Sequence, residues 1–318
     1  MRQLGKQCSL MVAILLAAGS VANGADEPVT LRYKMNEEDA LIYRTVTTMT
    51  QHSEVAGQKV DTKSEQLDVS LRTLEKLDEK GNFHVRTENK QFKVKMSIST
   101  VGDYEFDSAS GERDTGSLLG GALTPVHESL SGAILSFTHT PRGEIVAVDG
   151  YKELLADALK DNPLGAQFSA GGSDEAAKLG MDEIFVTMSE KPVRPGDTWE
   201  TSYEVKLPGI GDAVGKRVYT YEGLEKAGKR TVAKINVATE LSFDLDIETG
   251  PQSTTGSVEI DESSGTILFD PEQGQVVSME SEVTIVGDFT VTVGGKTFNG
   301  DTKQMVKAKI EQLDALPE

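Results

Sequence analysis

The stretch Leu67-Asp68-Val69-Ser70-Leu71-Arg72-Thr73-Leu74 alternates apolar and polar side chains from Leu67 to Arg72. Successive side chains of a β-strand point to opposite faces, so this period predicts a strand with one buried and one wet face. The same alternation recurs in residues 92–98 and 243–247. Such strands are typical of antiparallel sheets, whereas a parallel doubly wound fold would show continuous apolar strands separated by helices. The sequence therefore predicts a mainly β protein.

The middle of the chain has helical spacing instead. Tyr151–Lys160 carries its apolar residues on one helical face, and Asn162-Pro163 ends the predicted helix. A second helix is predicted from an N-cap at Ser173 to about Met188. Both helices can simply cover the sheet, or the second can line a cavity. Its apolar stripe supplies four candidate ligand-facing residues: Met181, Ile184, Phe185 and Met188.

Two pairs of segments look like diverged copies of one unit. Phe137–Val148 and Phe269–Met279 each read as a strand, a turn with proline and glycine, and a second strand. Glu38–Tyr43 and Pro195–Glu200 each read as a turn that enters a strand with an aromatic residue. The spacing differs between the copies, which places loop insertions around Asp103–Ser131.

The predicted fold class is mainly β, with two related curved antiparallel sheet units, half-barrel or sandwich-like, and a short central helical segment. The length allows one large domain or two of ordinary size. The predicted boundaries are a signal peptide at 1–24, a first β-unit at 25–149, a helical connector at 150–190 and a second β-unit at 191–318.

Three segments carry a resemblance to a known family: Phe137–Val148, Pro192–Trp199 and Phe269–Met279. They resemble an uncharacterised family of exported bacterial β-rich proteins, a domain of unknown function common in planctomycetes and Bacteroidetes. The resemblance extends over nearly all of residues 28–313, although the first copy has Glu38-Asp39 where the second has Gly-Asp. The family brings no established activity and no catalytic residues, so it implies only an exported β-rich protein.

Residues 1–24 have the pattern of a secretory signal peptide. Arg2 and Lys6 form a basic region, Leu10–Ala18 is apolar, and small residues follow. The apolar run is too short for a hydrocarbon core of ~30 Å, which needs about 20 residues. We therefore expect export to the periplasm or the extracellular space, with no membrane span in the mature chain. Cys8, the one cysteine, would leave with the signal, so no disulfide is expected.

The net charge argues against some classes of partner. The chain carries a formal charge of −19, and its acidic residues are dispersed rather than gathered in a tail. Such a surface repels nucleic acids and anionic lipid headgroups. We therefore expect no nucleic-acid partner; the partner itself stays unknown, with an apolar ligand or an envelope protein as the options.

The sequence predicts no metal site. The four histidines, His52, His84, His127 and His139, lie apart, and neither HExxH nor a zinc spacing occurs. Asp244, Asp246 and Glu248 fit the first positions of a calcium loop. However, Thr249 and Thr255 stand where that loop needs glycine and glutamate. A solvated strand face is the expected reading.

No catalytic or cofactor motif is present either. The chain lacks a G-x-S-x-G nucleophile elbow. Gly116–Gly121 is rich in glycine but lacks the Lys-Ser/Thr ending of a phosphate-binding loop, so a flexible loop is expected there. We predict no catalytic residue, no cofactor and no enzymatic activity.

The expected function is that of an exported, soluble envelope protein that binds an apolar ligand or a protein partner. The alternative is a structural or surface-assembly protein with a fully packed core, and a hydrolase without a recognisable motif comes third. A cavity would favour the binding protein, and a solid core would favour the structural one. Trp199 is expected to lie in a core, because it opens the first strand of the second unit.

Overall fold

Thirteen strands form one antiparallel sheet in the described part of the chain, which confirms the mainly β prediction. The longest strands have 20 residues, and a strand of that length spans about 65 Å. The sheet is not closed. The computed structural model describes residues 27–37, 39–114, 116–160, 177–178, 180–181, 185–207, 211–249 and 252–317.

The first half of the chain contributes seven strands and both helices. They are β1 (Ala40–Val55), β2 (Gln58–Leu77), β3 (Phe83–Ile98), β4 (Gly102–Asp107), β5 (Glu112–Arg113), α1 (Leu118–Leu130), β6 (Ile134–His139), β7 (Ile145–Asp149) and α2 (Tyr151–Leu159). The second half contributes six strands: β8 (Thr198–Leu207), β9 (Gly211–Ala227), β10 (Arg230–Thr249), β11 (Gln252–Asp270), β12 (Gln275–Val293) and β13 (Lys296–Leu313).

The strand order places the two halves in one continuous sheet. That order is β5-β4-β3-β2-β1-β13-β12-β11-β10-β9-β8, with β6 paired to β3 and β7 paired to β6. The halves meet where β1 pairs with β13, from Ile42 opposite Leu313 to Val55 opposite Gly300. The strands of the two predicted units therefore share one hydrogen-bonded ladder.

Corresponding turns of the two halves have the same hydrogen bonds. The Asp39 carboxylate accepts a bond from the backbone N–H of Asn36 at 2.6 Å, just before β1. The Asp197 carboxylate accepts the equivalent bond from the N–H of Arg194 at 2.8 Å, just before β8. An aspartate that satisfies a backbone donor in this way favours a tight turn. The resemblance between these segments in the sequence thus has a structural counterpart.

Two segments, 27–37 and 185–197, run across one end of the sheet, and we call them the crossing segments. They pair with each other at Val29 and Val193, whose backbone N–H and carbonyl groups exchange bonds of 2.8 and 2.9 Å. Their side chains Leu31 and Met188 are 1% and 0% exposed. They pack on Tyr219, Tyr221, Ile235, Ile267 and Phe269 of the sheet.

The β6–β7 and β11–β12 turns both hold the first crossing segment. The N–H of Tyr33 donates to the carbonyl of Pro141 at 2.8 Å, and that of Lys34 donates to the carbonyl of Gly274 at 3.0 Å. Gly143 and Gly274 have φ values of +89° and +70°, which disfavour any residue with a Cβ. A Cβ on Gly143 would lie 2.5 Å from Tyr33 and from the Val186 carbonyl.

The helix predicted at Tyr151–Lys160 is present as α2, whereas α1 contradicts the loop expected at Gly116–Gly121. Ser117 caps α1 by accepting a bond from the Gly120 N–H at 2.8 Å. A Cβ on Gly120 would lie 2.2 Å from the Asp114 carbonyl, so glycine permits this close approach. Leu119, Leu123 and Leu130 then pack on the sheet. Neither described helix is long and apolar enough to cross a membrane.

Trp199 lies against the core as expected, although it is only partly buried. Its ring stacks on Tyr219 with 5.3 Å between centroids. Its indole N–H donates to the Thr187 carbonyl at 2.7 Å, which ties β8 to the second crossing segment. As the one tryptophan in the chain, it reports on this end of the sheet by fluorescence.

The first prediction tests how tightly the turns hold the crossing segments. Gly143 and Gly196 share a φ of +89°, but a Cβ on Gly196 would have nothing within 4 Å. Gly196→Ala should therefore lower the free energy of unfolding by about 1–2 kcal/mol through backbone strain alone. Gly143→Ala should cost about 1–3 kcal/mol more, because a Cβ there overpacks the contact with Tyr33 and Val186. Chemical denaturation followed by Trp199 emission measures both, and equal losses would contradict the close approach.

Candidate functional site

The strand register gathers apolar side chains from neighbouring strands on one side of the sheet. Ile267 lies opposite Ile235 and Met279, and Met279 lies opposite Ile310. We call this side the apolar face. Beyond the crossing segments it carries Val237, Leu241, Phe243, Leu245 and Ile247 of β10, Val258 and Ile260 of β11, Val283, Ile285, Phe289 and Val291 of β12, Val306 of β13 and Met49 of β1.

Over the same strands the opposite side of the sheet is charged. Lys309 and Glu280 form a cross-strand ion pair at 3.1 Å, and Lys307 and Glu282 form another at 3.0 Å. Directly opposed pairs of this kind stabilise an antiparallel sheet. A depression of about 840 Å³ on this side is lined by these four residues together with serine, threonine and a few small apolar side chains. This chemistry suits contact with water.

Two parts of the apolar face are covered by the chain itself. The crossing segments cover one end and form the largest buried cluster with β9–β12. At the side, α1 covers Phe92, Val94, Tyr104 and Phe106 of β3 and β4. His127 of α1 lies among these rings, and its Nδ1 is 2.7 Å from the Tyr104 hydroxyl. Burial lowers the pKa of His127 to about 4, so this histidine is neutral at pH 7.

The rest of the apolar face forms a groove of about 390 Å³. The crossing segments contribute Phe185 and Val186 to one end of it. The apolar side chains of the groove floor are partly exposed in the described structure, whereas the strand residues between them point to the charged side. Val237, Leu241, Ile260, Met279, Val283, Ile285, Val306 and Ala308 line the floor.

In strand β2 the apolar residues of the alternation lie on the charged side of the sheet, and the polar residues lie on the apolar face. Leu67 lies opposite Val46 on the charged side of the sheet, and Val69 and Leu71 point the same way. Asp68 and Arg72 instead lie on the apolar face, since Asp68 pairs with Thr45 and the Arg72 guanidinium packs on Tyr43. The alternation predicted that the polar residues of β2 would face water, and this prediction is wrong. These residues lie on the side of the sheet that carries the groove.

Arg72 lies where the groove meets the covered end. Its guanidinium carbon is 4.5 Å from the centroid of the Tyr43 ring and 5.0 Å from that of Phe185. Its Nε is buried without a hydrogen-bond partner. Burial lowers the pKa of Arg72, opposed by Tyr43 and Asp68. Burial also raises the pKa of Asp68 to about 6, opposed by Arg72 and by the hydrogen bond from Asn89.

A small cavity of about 30 Å³ adjoins Arg72, between the first crossing segment and the sheet. Tyr33, Tyr43, His139 and Phe185 line it together with Arg72. The Nδ1–H of His139 donates to the Thr140 carbonyl at 2.9 Å, and its ring stacks on Phe83 at 5.0 Å. Burial lowers the pKa of His139 to about 4, so its imidazole is neutral at pH 7.

The predicted second helix does not reach Met188. The N–H of Phe185 donates to the Met181 carbonyl at 3.0 Å, and from Phe185 onward the chain is not helical. The N–H of Met188 instead donates to the Arg142 carbonyl at 2.7 Å, because this stretch is a crossing segment. Ile184, with most of residues 161–184, lies outside the described residues.

The ligand-facing role of Met181, Ile184, Phe185 and Met188 stays a prediction. The three of these residues that the structure describes lie in different places. Phe185 lines both the groove and the small cavity. Met181 packs against the cluster around Phe83 and Phe137, and Met188 is fully buried. The helical spacing could not reveal the groove floor, which comes from strands distant in sequence.

The described residues contain no group of three or more histidine, cysteine, aspartate or glutamate side chains arranged to hold a metal ion. Asp244 and Asp246 are exposed on the charged side of β10. His52 is exposed, with Nδ1 2.6 Å from a carboxylate oxygen of Asp61. His139 ends β6 as a buried residue.

The second prediction concerns His139. Its folded pKa of about 4 lies below the unfolded value of 6.5, so the unfolded chain binds more protons as the pH falls from 7 to 4. This residue should therefore lower stability progressively over that range, by up to about 1.4 kcal/mol per pH unit. His139→Phe keeps a ring but removes the titration. The pH slope of its free energy of unfolding should be smaller than that of the wild type.

The comparison of wild type with variant isolates His139 from Asp68, whose raised pKa acts in the opposite direction. With a folded pKa of about 6 against 3.8, Asp68 favours the folded state as the pH falls between these values. Urea unfolding at half-unit pH steps measures the slope of each protein. Identical slopes in wild type and variant would contradict the buried, neutral state of His139.

A family model matches residues 80–276 of this sequence, and it describes a family of unknown function (DUF6263). This interval runs from within the β2–β3 turn to the start of β12, so it includes both described helices and the second crossing segment. None of the curated proteins matches the chain.

Solved structures resemble it at low sequence identity. Lipovitellin, from a study of lipid–protein interactions, has a TM-score of 0.43 and 9% identity over 90% of this chain and 26% of its own. The chain thus spans about a quarter of lipovitellin. A Bacteroides fragilis protein with a YmcC-like fold has a TM-score of 0.25 and 10% identity over 86% of this chain and 97% of its own. The chain's function has to be argued from its own residues.

Proposed function

The chain belongs to this family of unknown function, and we propose that it is an exported, non-catalytic protein that binds an apolar ligand in the groove on its apolar face. The observation that carries the proposal is the apolar groove floor, whose side chains stay partly exposed among the described residues. Soluble monomers rarely leave contiguous apolar patches larger than a few hundred Å² exposed, and such patches usually mark binding sites. Here such side chains come from β10, β11, β12, β13 and β1.

The shape of the site favours a small apolar molecule over a flat protein surface. The groove is bounded at one end by Phe185 and Val186 of the crossing segment. Its floor is mainly aliphatic, and its polar lining consists of serine and threonine hydroxyls together with Gln66 and the buried Arg217. Ligand sites typically combine an apolar lining with a few polar groups that fix orientation. A structural protein with a fully packed core would need these side chains covered.

The buried histidines support a non-catalytic role. His127 contacts Tyr104, Phe92 and Phe106, and His139 is bonded to a backbone carbonyl. Neither makes a carboxylate contact in the described residues, as a base in a catalytic triad would. Both act as aromatic core residues.

The third prediction tests the groove with two adjacent residues of β12. Ile285 lines the groove, whereas Val286 points to the charged side, and both are partly exposed. Ile285→Asp should weaken the binding of an apolar fluorescent probe at least tenfold, because a carboxylate would stand in the apolar floor. Val286→Asp, the matched control, should leave the probe affinity within about twofold, as expected for a surface change away from the site.

Probe titration, together with circular dichroism and an unfolding midpoint for each variant, makes the comparison. No probe binding to the folded wild type would contradict the ligand proposal. Equal loss in both variants would contradict the assignment of the site to the apolar face. A wild type that self-associates until Ile285→Asp makes it monomeric, without binding the probe, would assign this face to a protein partner.

Export is part of the proposal and rests on residues 1–24. The fourth prediction is that material secreted by a bacterial host begins after Gly24, or after Ala22 as the second choice, where small residues suit signal peptidase. Intact-mass analysis of the secreted protein reads the new terminus directly. A protein that keeps Leu10–Ala18 would contradict the signal-peptide assignment.

A further inference from the structure

Arg72 is a partly exposed cation whose Nε is buried without a hydrogen-bond partner. In the described chain it makes no ion pair and no side-chain hydrogen bond, and its Nε is sealed from water. Its guanidinium contacts the rings of Tyr43 and Phe185. A buried charge is costly unless it is paired and hydrogen-bonded. A guanidinium offers five N–H donors in a planar fork, and stacking on rings occupies its faces rather than its edge.

The position of Arg72 links it to the groove. It lines the cavity of about 30 Å³. Phe185 and Ile310 line both this cavity and the groove, so the two spaces share a wall. The Arg72 guanidinium thus lies next to the end of the groove that Phe185 forms.

The charged side chains that lie near Arg72 on β2 and around the cavity do not form an ion pair with its guanidinium. Asp68 lies on the same face of β2, but the carboxylate is held by Asn89 rather than by Arg72. Lys34, which also lines the cavity, donates its ammonium to the carbonyls of Pro271 and Glu272 at 3.1 and 2.9 Å. His139 contributes a ring to the wall.

We propose that the groove takes a long-chain carboxylate, with the alkyl chain on the apolar face and the carboxylate bound by the Arg72 guanidinium. This inference rests on the proposed function and specifies the ligand class. Arg–carboxylate pairs are frequently bidentate, and the charge-assisted bonds are about twice as strong as neutral ones. The cavity of about 30 Å³ suits a head group of the size of two or three water molecules, since a single water needs roughly 10–15 Å³. A phosphodiester head group is larger than this.

The experiment compares two ligands that differ only at the head group. Dodecanoate and dodecanol, both below their aggregation limits, are titrated into the full mature protein at pH 8, where the acid is ionised. Binding is read by displacement of the apolar fluorescent probe. The wild type should bind dodecanoate roughly 10- to 100-fold more tightly than dodecanol, as expected for hydrogen bonds to a charged group.

Two variants assign that preference to Arg72. Arg72→Met keeps an apolar stem and should reduce dodecanoate affinity to that of dodecanol, while dodecanol affinity stays within about threefold. Arg72→Lys keeps the charge without the fork and should retain part of the preference. Arg44→Met is the control, because Arg44 lies on the charged side of β1 and pairs with Glu311. It should keep the wild-type preference.

The outcomes separate the two levels of the proposal. Equal affinity for both ligands in the wild type overturns the carboxylate inference and leaves the apolar binding function standing. A full preference in folded Arg72→Met also overturns it. If neither ligand displaces the probe, or the wild type binds no probe, the proposed function fails and the inference falls with it. The wild-type comparison decides the matter even if Arg72→Met does not fold.

Discussion

The ladder between β1 and β13 is the interaction on which the rest of the structure depends. It joins the first and last strands of the described chain, so that two related halves share one sheet. Two separate sheets could bury their apolar faces against each other, about 10 Å apart, and leave nothing exposed. One open sheet with a single apolar face has no such partner. Among the described residues, the crossing segments and α1 cover part of that face, and the groove floor stays partly exposed.

The repeated turns explain how the covered end is held. Each half supplies one glycine-bearing turn, and the two turns bond to adjacent residues, Tyr33 and Lys34, of the same crossing segment. The two similar turns thus provide two docking points for one extended segment of backbone. This arrangement satisfies the backbone polar groups of a segment that covers apolar side chains, as any buried backbone requires. It also fixes Phe185, through the second crossing segment, at the end of the groove.

The sequence predicted the parts of this fold that depend on local pattern. Alternation located the long strands, and the turns that look alike in the sequence have the same hydrogen bonds in the two halves. It missed α1, since Gly120, Gly121 and Pro125 disfavour a helix, and the packing of Leu119, Leu123 and Leu130 on β3 and β4 outweighs that preference. The sequence pattern also extended the second helix into Phe185–Met188. In the structure the Met188 N–H is bonded to the distant Arg142 carbonyl instead of to a helical partner. The groove could not be predicted, because its floor is assembled by register among strands far apart in the chain.

Strand β2 is the place where local pattern and tertiary structure disagree most. A one-residue shift of the β1–β2 register would put Leu67, Val69 and Leu71 on the apolar face and Asp68 and Arg72 in water. The observed register does the reverse, and Leu74 at the end of the strand still reaches the core. Placing a carboxyl and a guanidinium on an apolar face opposes folding, so local consistency alone would not select this arrangement. Departures of this kind are expected where a site requires a particular group. The unpaired guanidinium at the end of the groove is therefore the most informative residue on this face, and its sequence position inside a regular alternation is what concealed it.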